Sequence, residues 1–297
     1  MKVLVVTGGI SSERKISLIS ASAVKNALVK NGHNVTFFDF KKGISNLTLL
    51  LRDFDVVFPV MHGQEGEDGT LYRFLKKNKI PYVGSDPKGA KIAFDKTLFK
   101  KYCERHDIPT AKWKVVRTSK DISQFGFPCI LKGAYGGSSH EVLFLYSVKD
   151  LNKKSIVKLL ASRNKFFVES LLEGAEITVG VLGNKALPVI EIVPPKDSWF
   201  DYKNKYSGAT KELLFAPSIN PSLQKKVQKM ALRIHKNLDL GSFSRLDIIV
   251  KDSIPYVLEI NTPGGVGLTA ESLFPKAAKA VGLSFEDMVE KMLQYKK

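Results

Sequence analysis

Residues 2–7, KVLVVT, form a short apolar run rich in β-branched side chains, and the run stops on Gly8 and Gly9 before a helical pattern begins. The same change of period recurs. VTFFDF at 35–40 and DVVFPV at 55–60 read as strands, and a short helix over Thr70–Asn78 precedes a further strand at Pro81–Val83. Strands that alternate with helices pair in parallel and have their faces covered by those helices, so this segment is expected to be a parallel sheet. In the first helix Ser11, Ser12 and Glu13 supply N-cap and first-turn chemistry, Ile16, Ile19, Ala23, Ala27 and Val29 supply the apolar stripe, and Gly32 closes it.

Near Gly84–Ser85 the pattern changes. Residues 91–106 read as one helix bounded by Pro109. From Cys129 the order is strand (CILK), glycine-rich loop (GAYGGSS) and strand (HEVLFLY), with another strand, FFVES, from Phe166. EITVGVLG and ALPVIEIV follow Gly174 as strands. The polar stretch of roughly 194–217 has little periodicity, which inside a compact protein marks a functional or a disordered segment. A helix over 221–238, a hairpin of Arg245–Val250 with Tyr256–Ile260 over Lys251–Pro255, and helices from Leu273 complete the chain.

At 297 residues the chain suits two or three packed domains. No apolar run reaches ~18 residues, so no membrane span is expected. The apolar start is too short for a secretory leader, which points to the cytoplasm. The net charge of +17 is dispersed in pairs such as Lys41–Lys42 and Lys153–Lys154. Without a basic arm or interleaved aromatics, that charge reads as solvated surface rather than a nucleic-acid site. Cys103 and Cys129 have neither metal-site nor disulfide spacing and read as small buried hydrophobes.

Three segments carry chemistry. GGISSER, Gly8–Arg14, fits neither the dinucleotide nor the P-loop fingerprint. Glu13 there can complement the helix dipole or meet a substrate ammonium at the carboxyl end of the first strand. Lys132 precedes Gly133, Gly136, Gly137, Ser138 and Ser139, where backbone N–H groups and hydroxyls can reach phosphate. No helix follows, so the loop is either a hairpin folding over a nucleotide or an ordinary turn. On the last hairpin, alternation puts Arg245 with Asp247 and Glu259 with Asn261 on one polar face. That face is either solvated or a site for Mg²⁺, which takes one or two carboxylates plus substrate phosphates. MHGQEGEDG, Met61–Gly69, reads as a hydrogen-bonded loop framework rather than a metal site.

In their order these segments resemble the D-alanine–D-alanine ligases of the ATP-grasp superfamily. The resemblance runs from GGISSERKIS to ESLFPKA and includes HGQEGEDG, YVGS, Asp95–Lys96, EGAEITVGVLG, NKYSGAT, RLDIIV and LEINTPGG. It implies an α/β fold (α+β in the C-terminal half) of three units, 1–84, 85–172 and 173–297, with a lid over about 194–217. It implies ATP, two Mg²⁺ ions with Mn²⁺ as a substitute, D-alanine as substrate, a homodimer, and no membrane or nucleic-acid partner. By position, Glu13, Ser138 and Tyr206 resemble a triad that closes the site, with Glu13 holding the first ammonium. Lys96 and Lys132 resemble nucleotide-phosphate ligands, Glu169 and Leu172 adenine contacts, and Glu176 a ribose contact. Asp247, Glu259 and Asn261 resemble the metal ligands. Arg245 and the backbone N–H near Gly265 would stabilise a tetrahedral intermediate. Lys205 and Tyr206 lie in the lid, His62 positions substrate, and Ser272 with Leu273 meets the second carboxylate. The chain departs from the usual K-P-x-x-x-G-S-S-x-G at Gly133 and Glu141, and the loop after Asn261 is two residues longer than usual.

Overall fold

The structure is a computed structural model that describes residues 1–136, 142–162, 164–195 and 209–297. Strands β1 (Lys2–Thr7), β2 (Asn34–Asp39) and β3 (Val56–Val60) form a parallel sheet of order β2-β1-β3. Val3, Leu4, Val5 and Val6 of the central strand are fully buried because both faces of the sheet are covered. Helix α1 (Arg14–Lys30) lies on it, but not by the expected stripe. Ser17, Ser20, Ala21, Val24, Ala27 and Leu28 face inward, while Ile19 and Val29 are about half exposed. Small residues win this face because they let the helix approach closely, and Ser17 satisfies its hydroxyl by donating to Glu13 O at 3.2 Å. Short helices α2 (Ile44–Leu50) and α3 (Thr70–Lys77) follow. The strand expected at Pro81–Val83 reduces to one isolated bridge, Val57 to Tyr82. The C-terminal residue takes up the rest of that pairing: Tyr82 N donates to Lys297 O (3.0 Å) and Lys297 N to Tyr82 O (2.8 Å).

The helix expected over 91–106 is two helices, α4 (Pro87–Phe94) and α5 (Lys96–Arg105). Asp95 between them is extended (φ −82°, ψ 99°), and its carboxylate accepts from the N–H groups of Thr97 and Leu98. An aspartate offers the backbone this alternative to continuing a helix. The break starts a fresh helix at Lys96.

A four-stranded antiparallel sheet follows, of order β4-β7-β5-β6, from β4 (Trp113–Val116), β5 (Cys129–Gly133), β6 (Val142–Leu145) and β7 (Phe166–Ser170). Helices α6 (Ser119–Phe125) and α7 (Lys154–Ala161) cover one face, with Leu131, Leu145, Ile156 and Val168 in the core between. The third sheet, order β10-β9-β8-β11-β12, is built from β8 (Ala175–Leu182), β9 (Lys185–Val193), β10 (Lys211–Leu214), β11 (Phe243–Lys251) and β12 (Ile254–Asn261). β10 falls inside the stretch read as aperiodic. Four residues are too few to show a period, and pairing to the edge of β9 decides their conformation. The β11–β12 turn is tighter than expected, with Asp252 and Ser253 both at positive φ. That is the geometry of a two-residue hairpin turn.

Helices α8 (Pro221–Asn237), α9 (Leu273–Lys279) and α10 (Phe285–Gln294) complete the fold. Val3, Val5 and Phe58 of the first sheet share one core with Phe274, Met288 and Met292 near the C-terminus. Phe99 and Cys103 of α5 pack on Ile177, Ile248 and Val257 of the third sheet. Both cysteines are buried and unpaired, and burial pushes their thiols up to about 12 (Cys103) and about 11 (Cys129). No described helix is long and apolar enough to cross a membrane.

Candidate active site

A cleft of about 1330 Å³ is lined by strand residues of the second and third sheets and by loop and helix residues that follow β1 and β3 of the first. Glu13, Lys96, Lys132, Glu169, Leu172, Glu176, Asp247 and Glu259 all line it. Its walls are chemically divided. Ile130, Val142, Phe144, Leu172, Ile249 and Leu258 give an apolar region, and Glu13, Lys96, Asp247 and Glu259 a charged one.

The acidic hairpin has the register that alternation requires. Arg245 stands opposite Asn261 and Asp247 opposite Glu259, with an irregularity just after Asp247. Asp247, buried on the strand, is held on every side. Arg245 Nε and Nη2 donate to its two oxygens (3.0 and 2.8 Å), Asn261 Nδ2 donates at 2.9 Å, and Thr178 Oγ1 at 2.6 Å. Lys96 Nζ is 2.9 Å from Glu259 Oε2 and donates to Gly136 O at 2.7 Å. The lysine placed by the Asp95 break thus ties the glycine loop to the hairpin. Among the described residues no three His, Cys, Asp or Glu side chains gather as a metal site. Two facing carboxylates and the amide oxygen of Asn261 are nevertheless a hard-oxygen set that fits Mg²⁺ completed by phosphate oxygens. Arg245 and Lys96 now supply the neutralising charge, so a cation would compete with them for those oxygens.

Glu169 is buried on β7 between two lysines. Lys100 Nζ is 2.6 Å from Oε2, and Lys132 Nζ touches Oε1. Burial opposes the charge on Glu169, but Lys100 and then Lys132 outweigh it and bring the carboxyl down to about 2. Lys132 therefore sits beside Glu169, which the resemblance assigns to adenine, rather than apart from it with Lys96.

At the other end, Ser11 Oγ accepts from Glu13 N (3.1 Å) and Ser17 Oγ from His62 N (3.0 Å). Arg14 grips Asp39 with two hydrogen bonds of 2.7 and 2.6 Å and donates to Gly9 O, which fixes the glycine turn. His62 is buried, and its Nε2 has no hydrogen-bond partner among the described residues. Burial holds this imidazole below its ordinary pKa; Glu13 opposes the effect and Arg245 adds to it. Glu67 accepts from Gly63 N at 2.6 Å, bearing out the framework reading of that loop. Burial, then the charge of Glu13, pushes its carboxyl up to about 8.

The segment after Asn261 lies on this loop. A Cβ on Gly265 would fall 2.1 Å from Glu67 Oε2, so any larger residue would have to displace that carboxylate. The Gly265 N–H donates to Thr262 O (2.8 Å), so in this state it is committed to a turn rather than presented to a reacting carbonyl. Ser272 is the N-cap residue of α9, and its Oγ accepts from Thr269 N at 3.2 Å. Leu273 is buried in the core shared with the first sheet. His62, Arg245, Asn261, Gly265, Ser272 and Leu273 are thus placed behind or beside the cleft lining. Ser138, Lys205 and Tyr206, with Glu141, lie outside the described residues. Sequence reasoning missed Lys100. A lysine one turn after Lys96 has the spacing of an ordinary exposed helix residue, and nothing local marks it as buried.

Two antiparallel sheets meeting over a cleft lined by Lys96, Lys132, the facing Asp247 and Glu259 and an apolar slot are the architecture of a nucleotide-dependent ligase fold of the ATP-grasp class. The family described as D-ala D-ala ligase C-terminus matches residues 101–294, and that described as D-ala D-ala ligase N-terminus matches 43–85. A D-alanine–D-alanine ligase of Carboxydothermus hydrogenoformans is 38% identical, covering 99% of this chain and 97% of that protein. One from Maridesulfovibrio salexigens is 34% identical, with 99% and 98% covered. The crystal structure of D-alanine–D-alanine ligase from Bacillus anthracis complexed with ATP superposes with a TM-score of 0.85 at 28% identity, covering 99% of this chain and 97% of that one. The chain belongs to the D-alanine–D-alanine ligase family.

Proposed function

We propose that this protein joins two D-alanines at the expense of ATP, releasing ADP and phosphate and supplying the dipeptide for peptidoglycan precursors in the cytoplasm. The carrying observation is that Glu13, Lys96, Lys132, Glu169 and the Asp247–Glu259 pair line one cleft. The carboxylate of the first D-alanine takes the γ-phosphoryl group, and the amine of the second displaces phosphate from the acyl carbon. Phosphoryl transfer of this kind asks for positioning and charge neutralisation more than covalent chemistry.

Glu13 holds the first ammonium at the carboxyl edge of β1, with His62 behind it. Lys96 faces the phosphates. The apolar slot and Glu169 take the base, with Leu172 beside it and Glu176 at the ribose. Asp247, Glu259 and Asn261 would hold Mg²⁺, which supplies charge neutralisation for the phosphates. Arg245, fixed by Asp247, stabilises the oxyanion at the acyl carbon. Ser272, with the main chain of Leu273, meets the second carboxylate. Ser138, Lys205 and Tyr206 are assigned to closure over an acyl-phosphate that water would otherwise hydrolyse. The three sheets support division of the chain at 84/85 and 172/173, and a homodimer is the expected assembly.

A second reading, ligation to another acceptor such as D-serine, is supported by the longer segment after Asn261. Incubation with ATP, Mg²⁺ and D-alanine, followed by dipeptide detection, tests the first. Phosphate release with other amino acids and none with D-alanine defeats it in favour of the second.

A further inference from the structure

Lys100 is 1% exposed, an unusual state for a charged side chain, and the proposed reaction gives it no task. It lies on α5, and its Nζ approaches Glu169 Oε2 at 2.6 Å as a close ion pair rather than an aligned hydrogen bond. The same Nζ donates to Thr110 Oγ1 (2.7 Å), whose hydroxyl donates to Val257 O (2.8 Å). Lys100 is therefore fixed from two sides, by the third sheet through Thr110 and by the middle sheet through Glu169. Glu169 and Lys132 line the cleft, and Lys100 stands behind them.

A buried lysine costs several kcal/mol in desolvation unless paired, and so does a buried carboxylate. One lysine would neutralise Glu169. The wall holds two, one on each oxygen, and the arrangement separates their tasks. Lys100 occupies Oε2 from the protein side, so the carboxylate cannot rotate toward the interior. Oε1 is left beside Lys132 at the apolar slot, where a flat ring would lie. An ionised carboxylate only accepts hydrogen bonds. It suits a base edge that carries an exocyclic amine and repels one that carries a keto oxygen.

We propose that Lys100 is a positioning residue for base selection, pinning one oxygen of Glu169 so that the other is presented as a fixed acceptor to an amino-bearing purine. This rests on the nucleotide reading of the cleft given above. Without Lys100 the carboxylate is held by Lys132 alone. It then turns, or takes a proton and donates, and either change erodes the preference for an amine over a keto group.

The test compares ATP with inosine triphosphate, which carries a keto oxygen where adenine has its amine. Phosphate release and dipeptide are measured for the native protein, Lys100→Met and Lys100→Arg. The native protein should prefer ATP. In Lys100→Met the ratio of kcat/KM for ATP over that for inosine triphosphate should fall on the order of tenfold, chiefly through KM for ATP, with KM for D-alanine little changed. Lys100→Arg should restore most of the ratio. Equal loss with both nucleotides, or an unchanged ratio, overturns the proposal and leaves Lys100 a structural residue. If Lys100→Met does not fold, Thr110→Val, which removes the hydroxyl steadying Nζ, should lower the same ratio; no change there overturns it equally. A native protein that forms no dipeptide with ATP defeats the functional reading itself, whereas native activity with an unmoved ratio defeats only this inference.

Discussion

Acid should unfold this protein partly through one histidine remote from the cleft. His235 on α8 is buried, with Nε2 3.1 Å from Gly241 O and Nδ1 2.8 Å from Ser244 Oγ. A carbonyl only accepts, so Nε2 carries the proton and Nδ1 accepts from the serine hydroxyl. The neutral ring is thus fully satisfied. Burial, the largest influence, lowers its pKa from 6.5 to about 4. Between those values the unfolded chain binds the extra proton and the folded one does not, so stability falls as pH falls through that window. The displacement corresponds to about 3 kcal/mol by pH 4, a sizeable part of an ordinary folding free energy. His235→Gln keeps an amide N–H for Gly241 O and removes the titration. Urea unfolding of both proteins from pH 7.5 to 4 isolates the effect, because other titrating groups, including Glu67 with its opposite sign over this range, cancel in the difference. The difference should be flat above pH 7 and move by about 3 kcal/mol in favour of the variant by pH 4. A difference that stays constant across the window would refute the reasoning.

Three other outcomes are expected. Arg245→Ala should lower dipeptide formation on the order of 10²-fold or more, read as kcat, since it removes the proposed oxyanion donor. Glu259→Gln should raise the Mg²⁺ concentration needed for half-maximal phosphate release by roughly tenfold or more, because even outer-shell partners of a metal cost that much. Phe274→Ala should destabilise the fold by about 3–5 kcal/mol in denaturant titration. Phe274 is 1% exposed in the core joining the first sheet to the C-terminal helices.

Most strands and the polar face of the last hairpin were legible because their period is local: KVLVVT, FFVES and RLDIIV announce themselves within six residues. The inward face of α1 was misread because apolarity was taken as the guide. Close packing instead selected serine and alanine, and left Ile19 and Val29 outside. The break at Asp95 was missed because a capping carboxylate and a solvent-facing one are the same letter. The contacts of the hairpin matched its sequence pattern, since Arg245, Asp247, Glu259 and Asn261 meet through strand register alone.

The sequence by itself determined the alternating N-terminal sheet, the glycine loops and the family, because each is written in consecutive residues. Only the tertiary structure decided that Lys100 and Lys132 share one carboxylate, that the turn at Thr262 engages the Gly265 N–H, and that Lys297 completes the edge at Tyr82. The first and last of these depend on residues far apart in the chain, whose proximity and burial are set by packing, and the turn at Thr262 is a backbone choice that no side-chain pattern announces; it is burial that turns an ordinary lysine or glutamate into part of a site.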